Sequence, residues 1–411
     1  MQKGSNDTTS QFNFDRKIIL FAFTLCLFFS ENLTRDYLKG LTIKYFLSTS
    51  PERCSYFIYT DYLEKGIKLF IVYLSYNCIN VFSALGIIFM DVLSGFISGN
   101  LKLLYNDERP FMTHPEYPPC LYAPSYGNPS FSAMSLFLVF ATFYQAMKQK
   151  KCSQKNLNLC VVLWVLVVCY SCYIRMLQNL VYLNQIFLGI GLGYIINYIM
   201  FEILLINFFD FSQFKVILDN KSITIISIIM VFILNTFIQF TLSDSFDGNQ
   251  GENAYSNVIS KFYPSKNNTL FLDKVNYILL TRLFEFLGFY LGILFEYSLI
   301  FKCNDELFTR YNIKEANQNG QEMFNNTKFD ATCFRIIFFC ICHYYLSIRV
   351  SIKSIDTQSY GGILYSLPIM ESTYIGVIVF FIVKYIIKYF GITNERLFGK
   401  LSLKERPEII N

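Results

Sequence analysis

A chain of 411 residues that is 53% hydrophobic, 18% aromatic and only 16% charged is too apolar for an ordinary soluble domain. Its net charge of +5 is too small to suggest a nucleic-acid partner, and its aromatic residues gather in apolar blocks. Those blocks run to about 20 residues, the length that crosses a bilayer, so the composition predicts an all-α polytopic membrane protein.

Residues 1–16 are polar, and Ile18 to Ser30 is apolar but short for a span. The stretch reads as an interfacial or packed helix, and no small-residue cleavage site follows it to suggest a signal peptide. About nine span-length segments come next. They are Gly66–Val81, Ala84–Tyr105, Pro129–Met147, Leu157–Tyr173, Val181–Ile206, Ser222–Leu242, Asn276–Phe301, Thr332–Val350 and Met370–Phe390. Glycines at Gly95-x3-Gly99 and Gly189-x-Gly191-x-Gly193 would let helices approach closely. The polar, Asn-rich connections Ser243–Val275 and Lys302–Ala331 read as surface loops. This divides the chain into an N-terminal segment 1–55 with its short apolar helix, a transmembrane bundle 56–390 and a basic tail 391–411.

Lys and Arg excess marks the inner face of a membrane protein. Lys148, Lys150, Lys151 and Lys155 crowd one short loop, and Arg396, Lys400, Lys404 and Arg406 lie in the tail. With nine spans these two segments share the inner face. The loop 106–128, the turn from Arg175 to Leu180 and the loop 243–275 then fall together on the outer or lumenal face. The twelve cysteines are scattered, mostly inside apolar blocks, without a C-x2-C pair near histidine. They read as small buried hydrophobes, and no metal or other cofactor is expected.

The chemistry-bearing residues lie in the outer loops. Lys102-x6-Arg109-Pro110 is followed by Asn128-Pro129-Ser130-Phe131-Ser132 opening one span, then by Arg175-x5-Val181-x3-Gln185-x3-Gly189 opening another. This series resembles the type 2 phosphatidic acid phosphatase and haloperoxidase superfamily, which reads Lys-x6-Arg-Pro, Pro-Ser-Gly-His and Arg-x5-His-x3-Asp. The resemblance implies that Lys102, Arg109, Ser130 and Arg175 form a phosphate cradle. Arginine suits such a cradle because its planar fork binds two oxygens and stays charged. It also implies that Ser132 and Val181 stand where the family has its two catalytic histidines, and Gln185 where it has aspartate. Within the family the chain is most similar to the glucose-6-phosphatase branch, which has about nine spans, a lumenal site and Gln in the third motif. Leu283–Gly292 and His343–Arg349 resemble that branch's late spans.

The family mechanism needs one histidine to attack phosphorus and another to protonate the leaving alcohol. Val181 can do neither, and Ser132 has no evident base. Losing a nucleophile from a coupled unit costs on the order of 10⁶ in rate, about 8 kcal/mol. The chain has two histidines in all. His343 falls in a late span and reads as an interhelical hydrogen-bonder. His114, five residues after Arg109, is the one candidate substitute acid or base. Asp107 and Glu108 are placed to neutralise the cradle cations if no ligand does.

The expectation is a non-catalytic, phosphatase-like membrane protein: a scaffold or a subunit of a larger membrane assembly, retaining a phosphate or lipid-phosphate ligand. The alternative is an active lumenal phosphomonoesterase with an atypical site. Besides the lipid bilayer and that ligand, other membrane subunits are the expected partners. The resemblance implies the endoplasmic reticulum, where Asn267-Asn268-Thr269 would accept a glycan. The mitochondrial inner membrane is the alternative compartment.

Overall fold

The computed structural model describes residues 6–47, 52–79, 81–117, 119–120, 126–207 and 220–246, with isolated positions between 287 and 342. Every regular element among the described residues is helical. In chain order they are α1 (Asn6–Tyr45), α2 (Glu52–Cys78), α3 (Val81–Tyr105), the single turn α4 (Pro110–Thr113), α5 (Phe131–Gln149), α6 (Gln154–Leu177) and α7 (Leu183–Tyr198). A π-turn (Ile199–Ile203) continues α7, and α8 spans Lys221–Phe246. Three stretches are long and apolar enough to cross a membrane: Phe82–Thr113, Gln154–Leu177 and Leu183–Ile203. The expected spans at 276–301, 332–350 and 370–390 lie outside the described residues apart from isolated positions. So do most of the loop 243–275, the connection 302–331, the tail and His343.

The apolar stretch at Ile18–Ser30 is only the middle of a 40-residue helix, about 60 Å long. Polar flanks do not end it, because Glu31 and Arg35 at i,i+4 pair at 2.8–2.9 Å on its next turn. α1 lies along α7. Gly191 makes that approach close: a Cβ there would stand 2.6 Å from the Leu27 side chain. Phe23 meets Tyr194 edge-on at 5.1 Å beside it.

α5 is the central helix and packs against α2, α3, α6 and α7. It has residues for that role on every side, with Ala133, Met134, Leu136, Leu138 and Val139 all buried. α6 is different. It buries a stripe of Leu157, Cys160, Val168 and Cys172 and leaves Val162, Val165, Leu166 and Tyr170 exposed. Such an uncovered apolar face suits acyl chains rather than water.

Two helix ends set the loops that carry the motifs. α3 stops at Asn106, which takes a left-handed φ of 47° that asparagine tolerates. α6 ends in a Schellman turn, with Asn179 at φ 60°. The Asn179 N–H donates to Met176 O at 3.0 Å and the Leu180 N–H to Arg175 O at 3.1 Å. α4 begins with Pro110, where a missing N–H costs nothing.

Candidate functional site

The first and third motifs meet through Arg109. It is 7% exposed, and its Nη1 donates to the Leu180 carbonyl at 2.6 Å. Lys102 lies in the last turn of α3, is 8% exposed, and is within electrostatic reach of both Arg109 and Arg175. The three cations expected of a phosphate cradle are thus brought to one place.

The second motif joins them through backbone contacts. The Gly127 N–H donates to Asp107 O at 2.9 Å, and the Ser130 N–H donates to Gln185 O at 2.9 Å. Ser130 is buried at the N-cap of α5, and Ser132 lies half-buried in the helix's first turn. α7 can come this close only because position 189 is glycine: a Cβ there would stand 2.6 Å from the Ser130 carbonyl oxygen. A Cβ at Gly127 would instead meet the Gln185 side-chain amide, which would have to shift from its hydrogen bonds to make room.

Gln185 holds this junction together. It is fully buried, and its Nε2 donates to Asp107 Oδ2 and to Glu108 O, each at 3.0 Å. Its Oε1 accepts the Tyr182 N–H at 3.1 Å, satisfying a free donor at the start of α7. Val181 is 4% exposed and belongs to the main apolar core. Next to it, the Tyr182 hydroxyl is 2.5 Å from the Thr113 hydroxyl.

The partners of Asp107 and Arg175 come from helices that carry no motif. Asp107 pairs with Lys39 of α1 at 2.6 Å, where the sequence suggests a pairing with a cradle cation. Arg175 Nη2 instead donates to Glu64 Oε2 of α2 at 3.0 Å. Ser171 Oγ donates to the same oxygen at 3.2 Å, and Lys68 stands 3.4 Å from Glu64 Oε1. Lys68 also pairs at 3.3 Å with Asp91, which accepts from Ser135 as well. Above the motif junction, Glu31 accepts from Asn128 at 3.1 Å and Asn184 at 3.3 Å. Glu31, Lys39, Glu64, Lys68 and Asp91 escape the motif reading. Their one sequence signal is charge next to or inside apolar segments, which asks for a partner.

His114 caps α4 and is half-buried. Its Nδ1 lies 3.2 Å from Glu116 Oε1, and its ring meets Tyr117 edge-on. Cys120, in the same loop, is disulfide-bonded. Among the described residues, no group of three or more His, Cys, Asp or Glu side chains could hold a metal ion.

Residues 83–208 match the family model of the PAP2 superfamily. No curated protein and no solved structure matches the chain. The matched segment begins in α3 and ends just after the π-turn, so it contains all three motifs. A phosphatase-like superfamily domain with helices able to cross a bilayer fits an integral membrane protein.

Proposed function

We propose that this chain is a non-catalytic member of the glucose-6-phosphatase-like branch, with about nine spans. It keeps a phosphate-binding cradle of Lys102, Arg109, Ser130 and Arg175 and serves as a scaffold or subunit of a membrane assembly. One observation carries the reading. At the third-motif position where the resemblance implies a nucleophilic histidine stands Val181, 4% exposed and packed in the apolar core. A valine side chain has no lone pair to offer phosphorus. Gln185, in the aspartate position, already donates to Asp107 and Glu108 and accepts from Tyr182.

The outer face of an endoplasmic-reticulum or mitochondrial inner membrane suits the motif loops. Four lysines crowd the loop 148–155 at the other end of α5, and Cys120 is disulfide-bonded, as expected of a loop in an oxidising compartment.

The test is phosphate release by purified full-length protein from glucose 6-phosphate and phosphatidic acid, against Arg109→Ala. Equal, background-level release from both supports the proposal. A second reading, an active phosphomonoesterase, draws on the His114–Glu116 pair, since a carboxylate can orient a histidine for acid–base work. It requires wild-type turnover that both Arg109→Ala and His114→Ala abolish.

A further inference from the structure

Glu64 has an environment that resembles a bound anion's. Its carboxylate is held by Arg175 Nη2 at 3.0 Å, Ser171 Oγ at 3.2 Å and Lys68 Nζ at 3.4 Å, and the residue is only 8% exposed. A cation, a hydroxyl and a second cation converge on two oxygens, much as donors converge on a phosphate. Arg175 is also the third-motif arginine, within electrostatic reach of Lys102.

We infer that Glu64 is the built-in counter-anion of the cradle, and that a phosphate group binds there by displacing it from Arg175. This rests on the cradle reading above and adds the group that governs its occupancy.

Charge balance supports the inference. Glu64, Asp91, Lys68 and Arg175 make a set of two negative and two positive groups linked by contacts of 3.0–3.4 Å. Ions inside an apolar bundle persist when paired, and removing one partner exposes the charge of the other. Take away the Glu64 charge and the set becomes net positive, a demand that an external anion can meet. With Glu64 in place an anion must first break three contacts, so the wild-type cradle binds weakly.

Glu64, Ser171 and Arg175 lie on the wall of a small cleft of about 20 Å³ between α2, α5 and α6, space for about one water molecule. The rest of its lining includes Ile67, Leu136 and Tyr170. Glutamate has a flexible stem, so the exchange requires its carboxylate to swing aside and the cleft's side chains to move apart as Arg175 turns to a phosphate oxygen.

The experiment measures binding of a phosphate group to full-length protein in two arms. One is inorganic phosphate in detergent solution. The other is phosphatidic acid in phosphatidylcholine nanodiscs. Wild type, Glu64→Gln, Ser171→Ala and Arg109→Ala are compared, with Lys102→Ala as a second cradle variant. Glu64→Gln should tighten binding at least about tenfold, which corresponds to about 1.4 kcal/mol. Ser171→Ala removes one contact holding Glu64 and should tighten it about threefold, a conversion of roughly 0.6 kcal/mol. It decides the matter if Glu64→Gln does not fold. Tightening in the phosphate arm alone points to a soluble ligand, in the phosphatidate arm alone to a lipid, and either supports the inference. If neither variant tightens binding in either arm, while Arg109→Ala or Lys102→Ala weakens it, Glu64 is a structural staple and the inference falls but the cradle stands. If no variant binds in a way that depends on Arg109 or Lys102, the cradle reading fails and takes the inference with it.

Discussion

Arg109 reaches from the loop after α3 to the Leu180 carbonyl at the end of α6, a 2.6 Å hydrogen bond across 71 residues of sequence. The contact ties the first motif to the turn that opens the third. A charged donor on a buried carbonyl is worth about 1.5–3 kcal/mol. Arg109→Ala should therefore lower the thermal midpoint in detergent. Arg109→Lys should recover only part of the loss, because an ammonium lacks the planar fork. Equal midpoints for wild type and Arg109→Ala would mean that this bond contributes nothing to the fold.

The approach of α7 to α5 depends on one missing Cβ. Gly189→Ala would set a methyl group 2.6 Å from the Ser130 backbone oxygen, which has no flexible end to yield. The helices must separate, at about 1–3 kcal/mol. Gly66 is the control, because nothing lies within 4 Å of a Cβ built there. Gly66→Ala in mid-helix should be neutral or stabilise by up to about 1 kcal/mol. A thermal-shift comparison should separate the two alanines. Similar midpoints would show that the helices do not pack as closely as described.

Lys39 and Asp107 make an unequal pair. The lysine side chain is 23% exposed and the aspartate side chain 5%. Asp107 also accepts from Gln185 at 3.0 Å, so Asp107→Asn leaves several donors short of an acceptor. Lys39→Met leaves one carboxylate that keeps its Gln185 and Asn184 donors. Losses of about 2–3 kcal/mol for Asp107→Asn and about 1 kcal/mol for Lys39→Met are expected. A double-mutant cycle in unfolding experiments should show coupling. Additive effects would mean that the contact is not energetically important.

The motif frame was legible because it consists of fixed local spacings. Lys102 to Arg109 and Arg175 to Gln185 each fit within a helix end and one turn, and those spacings bring their contacts together. What the spacing could not give was the source of the counter-charge. Arg175 and Glu64 are 111 residues apart, and Lys39 and Asp107 are 68 apart. No local period encodes a partner at such a distance. Adjacency in sequence offered Asp107 or Glu108 to the cradle cations beside a plain solvated-loop reading, yet α1 lies close enough for Lys39 to take Asp107. The reach of α1 was also hidden. A hydropathy block shows only the apolar middle of a helix, while its polar ends continue by local hydrogen bonding and pairs such as Glu31–Arg35. The spacing put Val181 at the position where the resemblance implies a nucleophile, but it did not show Val181 as a core residue, which depends on packing that no spacing reports.

The proposed catalytic silence can be tested by trying to reverse it. Ser132→His/Val181→His would place imidazoles at both positions where the resemblance implies them. The cradle cations remain in such a variant, so a partial site would be available. Two features limit the gain. Position 181 is 4% exposed among apolar neighbours, so a histidine there loses about 1–3 kcal/mol unless it finds a partner. Gln185 is already engaged with Asp107, Glu108 and Tyr182, so it is poorly placed to orient a new imidazole. The double variant should show a trace of phosphate release above wild type, with a lowered thermal midpoint. Adding Arg109→Ala should remove that trace, because the charge on the phosphoryl oxygens then lacks a cradle arginine. Wild-type release that depends on Arg109 would overturn the non-catalytic reading, whatever the double variant does.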